Sequence, residues 1–575
     1  MDLAPGGTGW RQLRRLARMR HVPGWAPPIL PGIVLLLADG FQLGRPPLWR
    51  DEAYTLDAIR RPLTQIFAMA GHIDAVITPY YLLMHAWIAA AGTSATALRL
   101  PSVLAMAVAA VAISVIGRRL ASATQLPAPA MTGVLAGLLF AAAPQATRYA
   151  QDARPYGLVT MCAAIATWLL LRSLADGRWR WWAGYGVAIA ATGLFNVLAL
   201  LLLAAHAVTV WIARTRQRAA VPSAAIAPAG PAGVDPVDGE TGAPLALLPS
   251  RWLTAAGAAT VVLIPLMVAG YGQRSQISWL PRPRLGAVDH LVVSFAGSRP
   301  LAPLVALLVV AGVATSIAER RRVAVDMVTV AAPWLLLPAL ILLAASQVHP
   351  VYDFRYLVYC LPALALLVAA GLAAVTRLAM PTPLGKAAWL PAALIVVLLV
   401  ALVLGPQRLV RLPSSRPDNL RRVAAIVAAY GRPGDAVLYV PSNRRAYSLA
   451  YPAPFRRLRD IALAKSPVAA ANLIGTQVPP ATLRSRFSTV TRVWVIGQRS
   501  LRRLRHPVSR LEKAELMLLK LFRLVRRWRT GQAMLSLYRR AQAGRRLHVR
   551  DHGGRNGTVM IRGDVPGAQA TRPGR

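Results

Sequence analysis

Residues 357–375 read LVYCLPALALLVAAGLAAV, with Arg355-Tyr356 just before and Thr376-Arg377 just after. A helix needs roughly 20 mainly apolar residues to cross a bilayer, and this run supplies that length with charge only at its ends. The pattern repeats at Ile29–Leu37, Val103–Ile116, Leu158–Leu171, Val187–Val210, Ala255–Val268, Leu301–Ala318, Val328–Ala345 and Ala388–Leu404. Over all 575 residues, 55% are hydrophobic and 15% charged, and the mean hydropathy is +0.45. Soluble domains carry about 25% charged residues, so an ordinary globular enzyme is excluded. The expectation is an α-helical polytopic membrane protein with about 11 to 13 spans.

Lys plus Arg (66) outnumber Asp plus Glu (22), a formal net charge of +44. Positive loops mark the inside of a membrane protein. Arg11, Arg14, Arg15, Arg18 and Arg20 put the N-terminus in the cytoplasm. Arg172, Arg178 and Arg180, then Arg214, Arg216 and Arg218, then Glu319–Arg322 and Arg377–Lys386 mark further inside loops. The remaining loops, Arg45–Pro79, Tyr271–Pro300, Gln347–Arg355 and everything after Gly405, fall outside, as expected for the cell membrane. Arg11–Arg20 leads into a run broken by Pro27, Pro28 and Pro31 without a small-residue cleavage pattern, so the first span reads as a retained anchor. Cys162 and Cys360 both sit in apolar runs and read as small buried hydrophobes.

The domain plan follows from shifts in composition. Residues 1–404 form the membrane domain, with an outer loop at 44–78 and a flexible cytoplasmic linker near 214–251, its Pro222–Pro249 rich in Ala, Pro and Gly. Residues 405–500 carry helical spacing at Asp418–Tyr430, a turn at Pro433-Gly434-Asp435 and strand patterns at Ala436–Val440 and Arg492–Ile496. They read as a small extracytoplasmic α/β domain. Residues 501–544 read as a basic amphipathic helical segment, centred on Leu511–Trp528, and 545–575 as a disordered basic tail. Leu501–Arg550 holds 15 Lys or Arg against two Glu, which suits anionic lipid or an acidic polymer. Nucleic acid is not expected as a partner of so deeply embedded a chain.

Three short clusters carry chemistry, each just beyond a span. Leu48-Trp49-Arg50-Asp51-Glu52-Ala53-Tyr54-Thr55 sets two carboxylates side by side. Like charges resist joint ionisation, so such a pair asks for a metal, a cationic partner or the tuned pKa of a general base; acids facing water and Arg50 are the plainer alternative. Arg148-Tyr149-Ala150-Gln151-Asp152-Ala153-Arg154-Pro155-Tyr156 joins an acid to two cations. Tyr and Arg commonly anchor at the interface, but anchoring needs no carboxylate. In His349-Pro350-Val351-Tyr352-Asp353-Phe354-Arg355-Tyr356, Arg355 either snorkels or turns its fork to a phosphate at headgroup depth. If Asp51 and Asp152 serve one site, an even number of crossings must separate them. Three apolar segments lie between, near Thr78–Gly92, Leu98–Gly117 and Ala128–Ala143; the first is short for a span and reads as re-entrant or fused with its neighbour.

Taken in order, the motifs form a series. Trp49-x-Asp51-Glu52-Ala53 is followed by Asp74 ahead of Pro79-Tyr80-Tyr81-Leu82-Leu83-Met84-His85-Ala86-Trp87, then by Leu98-Arg99-Leu100-Pro101-Ser102. Tyr149-Ala150-Gln151-Asp152-Ala153-Arg154-x-Tyr156 and Arg355-Tyr356-Leu357 with Leu361-Pro362 complete it. From Trp49 to Gly371 the chain resembles the family 39 glycosyltransferases of the GT-C superfamily, which include protein O-mannosyltransferases and the aminoarabinose transferase of lipid A. The resemblance implies a polyprenyl- or dolichyl-phosphate donor and inverting transfer of mannose, or a related hexose or pentose, on the outer face. The acceptor would be a glycan, lipid or protein of the cell envelope. By motif, Asp51 corresponds to the family's essential acid and Asp152 to its second, with Glu52 beside the first. Arg355, Arg154, Tyr356 and Arg148 would surround the donor phosphate, and Asp74, Tyr80, His85 and Tyr156 the acceptor or sugar. No cofactor is demanded; a divalent metal would fall to Asp51 and Glu52. Two departures stand out: the family more often has Glu at the place of Asp152, and Ala75-Val76-Ile77-Thr78 replaces a Pro pair and His.

The chemistry of the outer face agrees. No nucleotide-sugar pool exists there, so a donor must be lipid-borne. Its phosphate gains charge as the glycosidic bond breaks, which Arg stabilises, and the acceptor hydroxyl must lose a proton to a base. A transporter or flippase would place charges in mid-span and repeat its halves; here the acids gather in loops and the halves do not match. A non-catalytic scaffold would leave Asp51 and Asp152 freely replaceable.

Overall fold

The computed structural model describes residues 26–220, 248–319, 323–380, 387–498 and 510–541, with 125, 127 and 388 excepted. The arginines at 11–20, most of the linker and the tail at 545–575 lie outside the described residues. The apolar runs are helices, since a backbone in hydrocarbon must close its hydrogen bonds within itself. α1 (Ala26–Gly40) leads to three short helices, α2 (Arg50–Ile59), α3 (Leu63–Ala70) and α4 (Thr78–Ala91). Then follow α5 (Ala95–Ala123), α6 (Pro129–Ala142), α7 (Pro144–Ala150), α8 (Tyr156–Asp176), α9 (Trp179–Phe195), α10 (Leu202–Ala220) and α11 (Leu248–Gly272). The bundle closes with α12 (Leu285–Ala296), α13 (Leu301–Glu319), α14 (Met327–Val348), α15 (Leu361–Ala379) and α16 (Leu390–Val410).

Seven helices are long and apolar enough to cross a bilayer, or nine if the bent pairs α6–α7 and α12–α13 each make one pass, among the described residues. α1 and α9 are shorter, and each has one end beside the expected outer loops. Asp39 of α1 accepts from Thr147 Oγ1 at 2.8 Å, and Phe195 of α9 packs on the α2–α4 cluster. Among the described residues that count stays below the expected 11 to 13 spans. Close packing depends on small residues, as is usual between membrane helices. A Cβ on Gly133 of α6 would stand 2.4 Å from Ser114 O of α5, and one on Gly371 of α15 would stand 2.0 Å from Leu308 O of α13.

The expected outer loops do share one end, which we call the rim. Gln273 Oε1 accepts from Ala75 N at 2.9 Å, and Arg355 reaches Asp51 at 2.9 Å. The opposite end ties Arg216 to Asp326 at 2.8 Å and Arg251 to Gly177 O. The crossing count also closes. α4 is not a span but lies along the rim, where His85 Nδ1 meets Ile59 O at 2.8 Å and Trp87 Nε1 donates to Ala97 O at 2.8 Å. Among the described residues, α5 and the α6–α7 pair are the span candidates between Asp51 and Asp152.

Beyond α16 the chain forms an α/β domain on the rim. α17 (Leu420–Tyr430) and β1 (Ala436–Val440) fall where the pattern put them. The sheet order is β2-β1-β5-β7-β6, where β2 is Arg459–Asp460, β5 Arg492–Gln498, β6 Phe522–Thr530 and β7 Ala533–Arg540, while β3 (Leu463–Lys465) and β4 (Thr476–Gln477) form a separate antiparallel pair. β2, β1 and β5 are parallel, and β7 and β6 antiparallel. This corrects two boundaries. The domain runs to Arg540 rather than 500, and the expected basic helix ends at Leu519 (Arg510–Leu519). Phe522, Val525 and Trp528 mimic helical spacing, but Gly531, at φ 56°, begins a two-residue hairpin loop that turns the segment into two strands.

Candidate active site

The rim holds two charged clusters around the start of α2. The inner one is a buried ion pair. Arg99, near the start of α5, donates Nε to Glu52 Oε1 and Nη2 to Oε2, both at 2.7 Å. Its Nη1 donates to Leu43 O and Pro46 O at 2.9 Å. Glu52 also accepts from Ala153 N at 3.0 Å and from Trp49 N at 3.3 Å. Both side chains are fully buried. Burial would raise the Glu52 pKa, but the Arg99 fork, the charge of Arg416 and the Ala153 N–H outweigh it and hold it low. Glu52 thus joins three chain segments rather than facing a substrate. This corrects its expected catalytic role, and the metal pair with it, since Glu52 turns away from Asp51. Among the described residues no three metal-ligating side chains gather.

Asp152 belongs to this inner cluster. Its Oδ1 accepts from Trp49 Nε1 at 2.8 Å, and its Oδ2 is buried without a partner among the described residues. Burial and the charge of Glu52 raise its pKa. Arg148, expected at the donor phosphate, instead donates to Ser415 O at 2.7 Å and ties α7 to the segment beyond α16. Arg416 donates to Gln151 O; burial and neighbouring Arg148 lower its pKa to about 9.

The outer cluster is open. Asp51 Oδ2 accepts from Arg355 Nη1 at 2.9 Å, while Arg355 Nε lies 2.9 Å from Asp353 Oδ2. Burial alone would raise the Asp51 pKa, but Arg154, Arg355 and Arg50 overcome it and keep the carboxylate below its ordinary range. Arg154 reaches Thr55 Oγ1 only at 3.4 Å, hydrogen-bonds Tyr81, and keeps a buried Nε with no partner. Asp74 sits in a left-handed turn at φ 59° and accepts from Tyr81 Oη at 2.7 Å; burial raises its pKa. Tyr80 Oη is buried and unpartnered. Tyr156 lies within electrostatic reach of both arginines, and the Arg355 guanidinium lies 5.7 Å from the Tyr356 ring centre.

Of the expected site residues, the structure thus gathers Asp51, Arg355, Arg154, Tyr356, Asp74, Tyr80 and Tyr156. It leaves out His85, tied to Ile59, and Arg148. Sequence reasoning passed over Arg99, Trp49 and Tyr81, although all three stand inside the quoted motifs. Gln273 and Gln276, whose Oε1 atoms accept from Ala75 N and Asp74 N, carry no motif at all.

The arrangement is that of a polytopic membrane protein with a charged rim site under an α/β cap, and comparisons with known proteins find likenesses in sequence over one segment and in fold over most of the chain. The family model described as dolichyl-phosphate-mannose-protein mannosyltransferase matches residues 78–228. ArnT from Cupriavidus metallidurans in the apo state superposes with a TM-score of 0.53 at 13% identity, over 88% of this chain and 97% of that one. The same protein bound to undecaprenyl phosphate gives 0.49 at 13% identity, over 90% and 98%. The archaeal oligosaccharyltransferase AglB from Archaeoglobus fulgidus, in complex with an inhibitory peptide and a dolichol-phosphate, gives 0.42 at 10% identity, over 89% and 74%. No curated protein matches by sequence. Over residues 78–228 the chain resembles the mannosyltransferase family, and at 13% identity the likeness to ArnT is one of fold.

Proposed function

We propose that the protein transfers a sugar, mannose or a related hexose or pentose, from a polyprenyl-phosphate carrier to a hydroxyl of the cell envelope. The rim is extracytoplasmic and the N-terminus cytoplasmic in this reading. The observation that carries it is Asp51 bonded to Arg355 beside Arg154, whose buried Nε has no partner. An unpaired buried donor is costly, and a phosphate oxygen would satisfy it. As the acceptor oxygen bonds to the anomeric carbon, the bond from that carbon to phosphate breaks with inversion. The phosphate keeps the electron pair, stabilised by Arg154 and Arg355, and Asp51 takes the hydroxyl proton. Asp152 acts on Asp51 indirectly, by holding Trp49 at the head of α2.

An apolar cavity of about 490 Å³ between α1, α6, α15 and α16, lined by Leu139, Leu361 and Val403 among others, offers room for isoprenoid chain at bilayer depth. The test uses purified protein in liposomes with polyprenyl-phosphate mannose labelled in the sugar, plus envelope extract. Label should move to the extract with the parent protein. Label that stays on the carrier with every extract fraction sinks the proposal.

A further inference from the structure

Between α11 and α13 the chain turns aside at the rim. α11 ends at Gly272, a turn follows, and α12 meets α13 at a bend of 79°. On α12, Leu285, Val288 and Val292 are exposed and stand three and seven positions apart, on one arc of the helix. Leu285 is 89% exposed, and in the turn before it Tyr271 is 69% and Trp279 62% exposed. The inward side is seated. Leu291 and Ser294 are buried, Tyr352 Oη donates to Ala287 O at 3.4 Å, and the His290 ring lies 4.9 Å from that of Phe354. The exposed arc continues the outward faces of two neighbours, Val261 and Val268 on α11 and Leu307 and Val310 on α13.

This segment touches both sides of the open cluster. Gln273 Oε1 accepts from Ala75 N at 2.9 Å and Gln276 Oε1 from Asp74 N at 3.3 Å, so the turn before α12 holds the backbone at Asp74. α12 itself rests on Tyr352 and Phe354, directly ahead of Arg355. Large exposed apolar patches mark a partner, and here the patch adjoins the lipid-facing sides of two helices. Trp and Tyr favour headgroup depth, and a helix with one apolar arc lies in the interface plane. Charge selects the lipid. Arg282 and Arg284 are exposed and make no hydrogen bond or ion pair among the described residues, while the nearby acid Asp289 is matched by Arg299 at 2.7 Å.

We infer that the segment from Tyr271 to Val292 docks on the bilayer surface at the rim and takes anionic lipid there. Leu285, Val288 and Val292 enter the acyl boundary, Tyr271 and Trp279 stay among the headgroups, and Arg282 and Arg284 meet lipid phosphates. Docking steadies the backbone at Asp74 and the turn ahead of Arg355, because the docked segment is bonded to the one and packed on the other. The inference goes beyond the transfer reading and stands without it. A soluble protein partner would have to cover an arc that runs on into the lipid-facing sides of α11 and α13.

The test uses the full protein in nanodiscs and needs no donor. An environment-sensitive fluorophore is attached at Val288→Cys or at Gly286→Cys. The native Cys162 and Cys360 are buried, and a Cβ at Gly286 meets nothing within 4 Å. Positions two apart on a helix point to nearly opposite sides. Lipid brominated near the glycerol end of its chains should therefore quench the label at 288 and spare the one at 286. No quenching at 288, or equal quenching at both, would overturn the docking. Hydrogen exchange of the amides at Asp74 and Ala75 reads the choice of lipid. Adding phosphatidylglycerol to phosphatidylcholine discs should slow it by roughly fivefold, the pull of one Arg toward an anionic surface. Arg282→Gln combined with Arg284→Gln should abolish the slowing. Equal exchange in both lipids, or a slowing that survives the double variant, would overturn the assignment of anionic lipid to these arginines.

Discussion

Glu52 and Arg99 share a buried pair in which every nitrogen and oxygen is matched, by each other or by the backbone of Leu43, Pro46 and Ala153. Asp51, at the same helix start, and Arg154, just before α8, differ: the carboxylate has one short partner, and the guanidinium a buried Nε with none among the described residues. Both regions are charged and shielded. A fully matched pair gives rigidity, and breaking it is costly because a lone buried charge remains. The half-matched pair is the one to which the proposed function assigns the lipid phosphate, and the matched pair the one to which it assigns the support of α2.

The sharpest way to break the comparison is to neutralise each acid in turn. Asp51→Asn should lower single-turnover transfer by about 10²–10⁴-fold, the range for general-base assistance, with thermal unfolding in detergent close to the parent. Glu52→Gln should do the reverse. Loss of the buried pair should cost about 3–5 kcal/mol, seen as early unfolding, while the folded fraction keeps most of its turnover. If Glu52→Gln instead folds normally and loses turnover as Asp51→Asn does, the division fails.

Arg355→Lys keeps the charge and loses the fork. Donor affinity should fall roughly tenfold, about 1.4 kcal/mol, measured by binding of labelled polyprenyl-phosphate sugar. Equal affinity would make Arg355 a snorkelling anchor. The smallest expected effect concerns pH. A carboxylate held below its ordinary pKa by Arg154, Arg355 and Arg50 stays ionised well into acid, so its share of the rate should persist from neutral pH until pH falls below about 4. Arg355→Gln removes one of those cations, so the acid limb should move to higher pH. A limb that does not move would mean that another group titrates.

The site was readable in sequence where motif and geometry coincide. Asp51 and Arg355 were expected in one outer cluster, and they meet at 2.9 Å although far apart in the chain. Glu52 was not readable, because sequence shows adjacency but not that successive helix positions point to different sides. Arg148 looked like a phosphate ligand because nothing in its own segment names Ser415 as its partner. The cap was half readable: α17, β1 and β5 follow local periodicity, whereas β6 shows apolar spacing of a helix and becomes a strand only by pairing with β7. Gly531 was the signal available there. That α4 is too short for a span was legible in its length, but the expected re-entrant or fused segment proves to lie along the rim, held by contacts to Ile59 and Ala97.

The central claim is that the half-matched cluster receives a lipid phosphate. It is tested most directly by phosphorus NMR of polyprenyl phosphate titrated into the protein in nanodiscs, with no sugar and no acceptor present. The account predicts a saturable shift of the phosphate resonance with the parent that is lost in Arg154→Gln and weakened in Arg355→Gln. The same shift in all three proteins would contradict it.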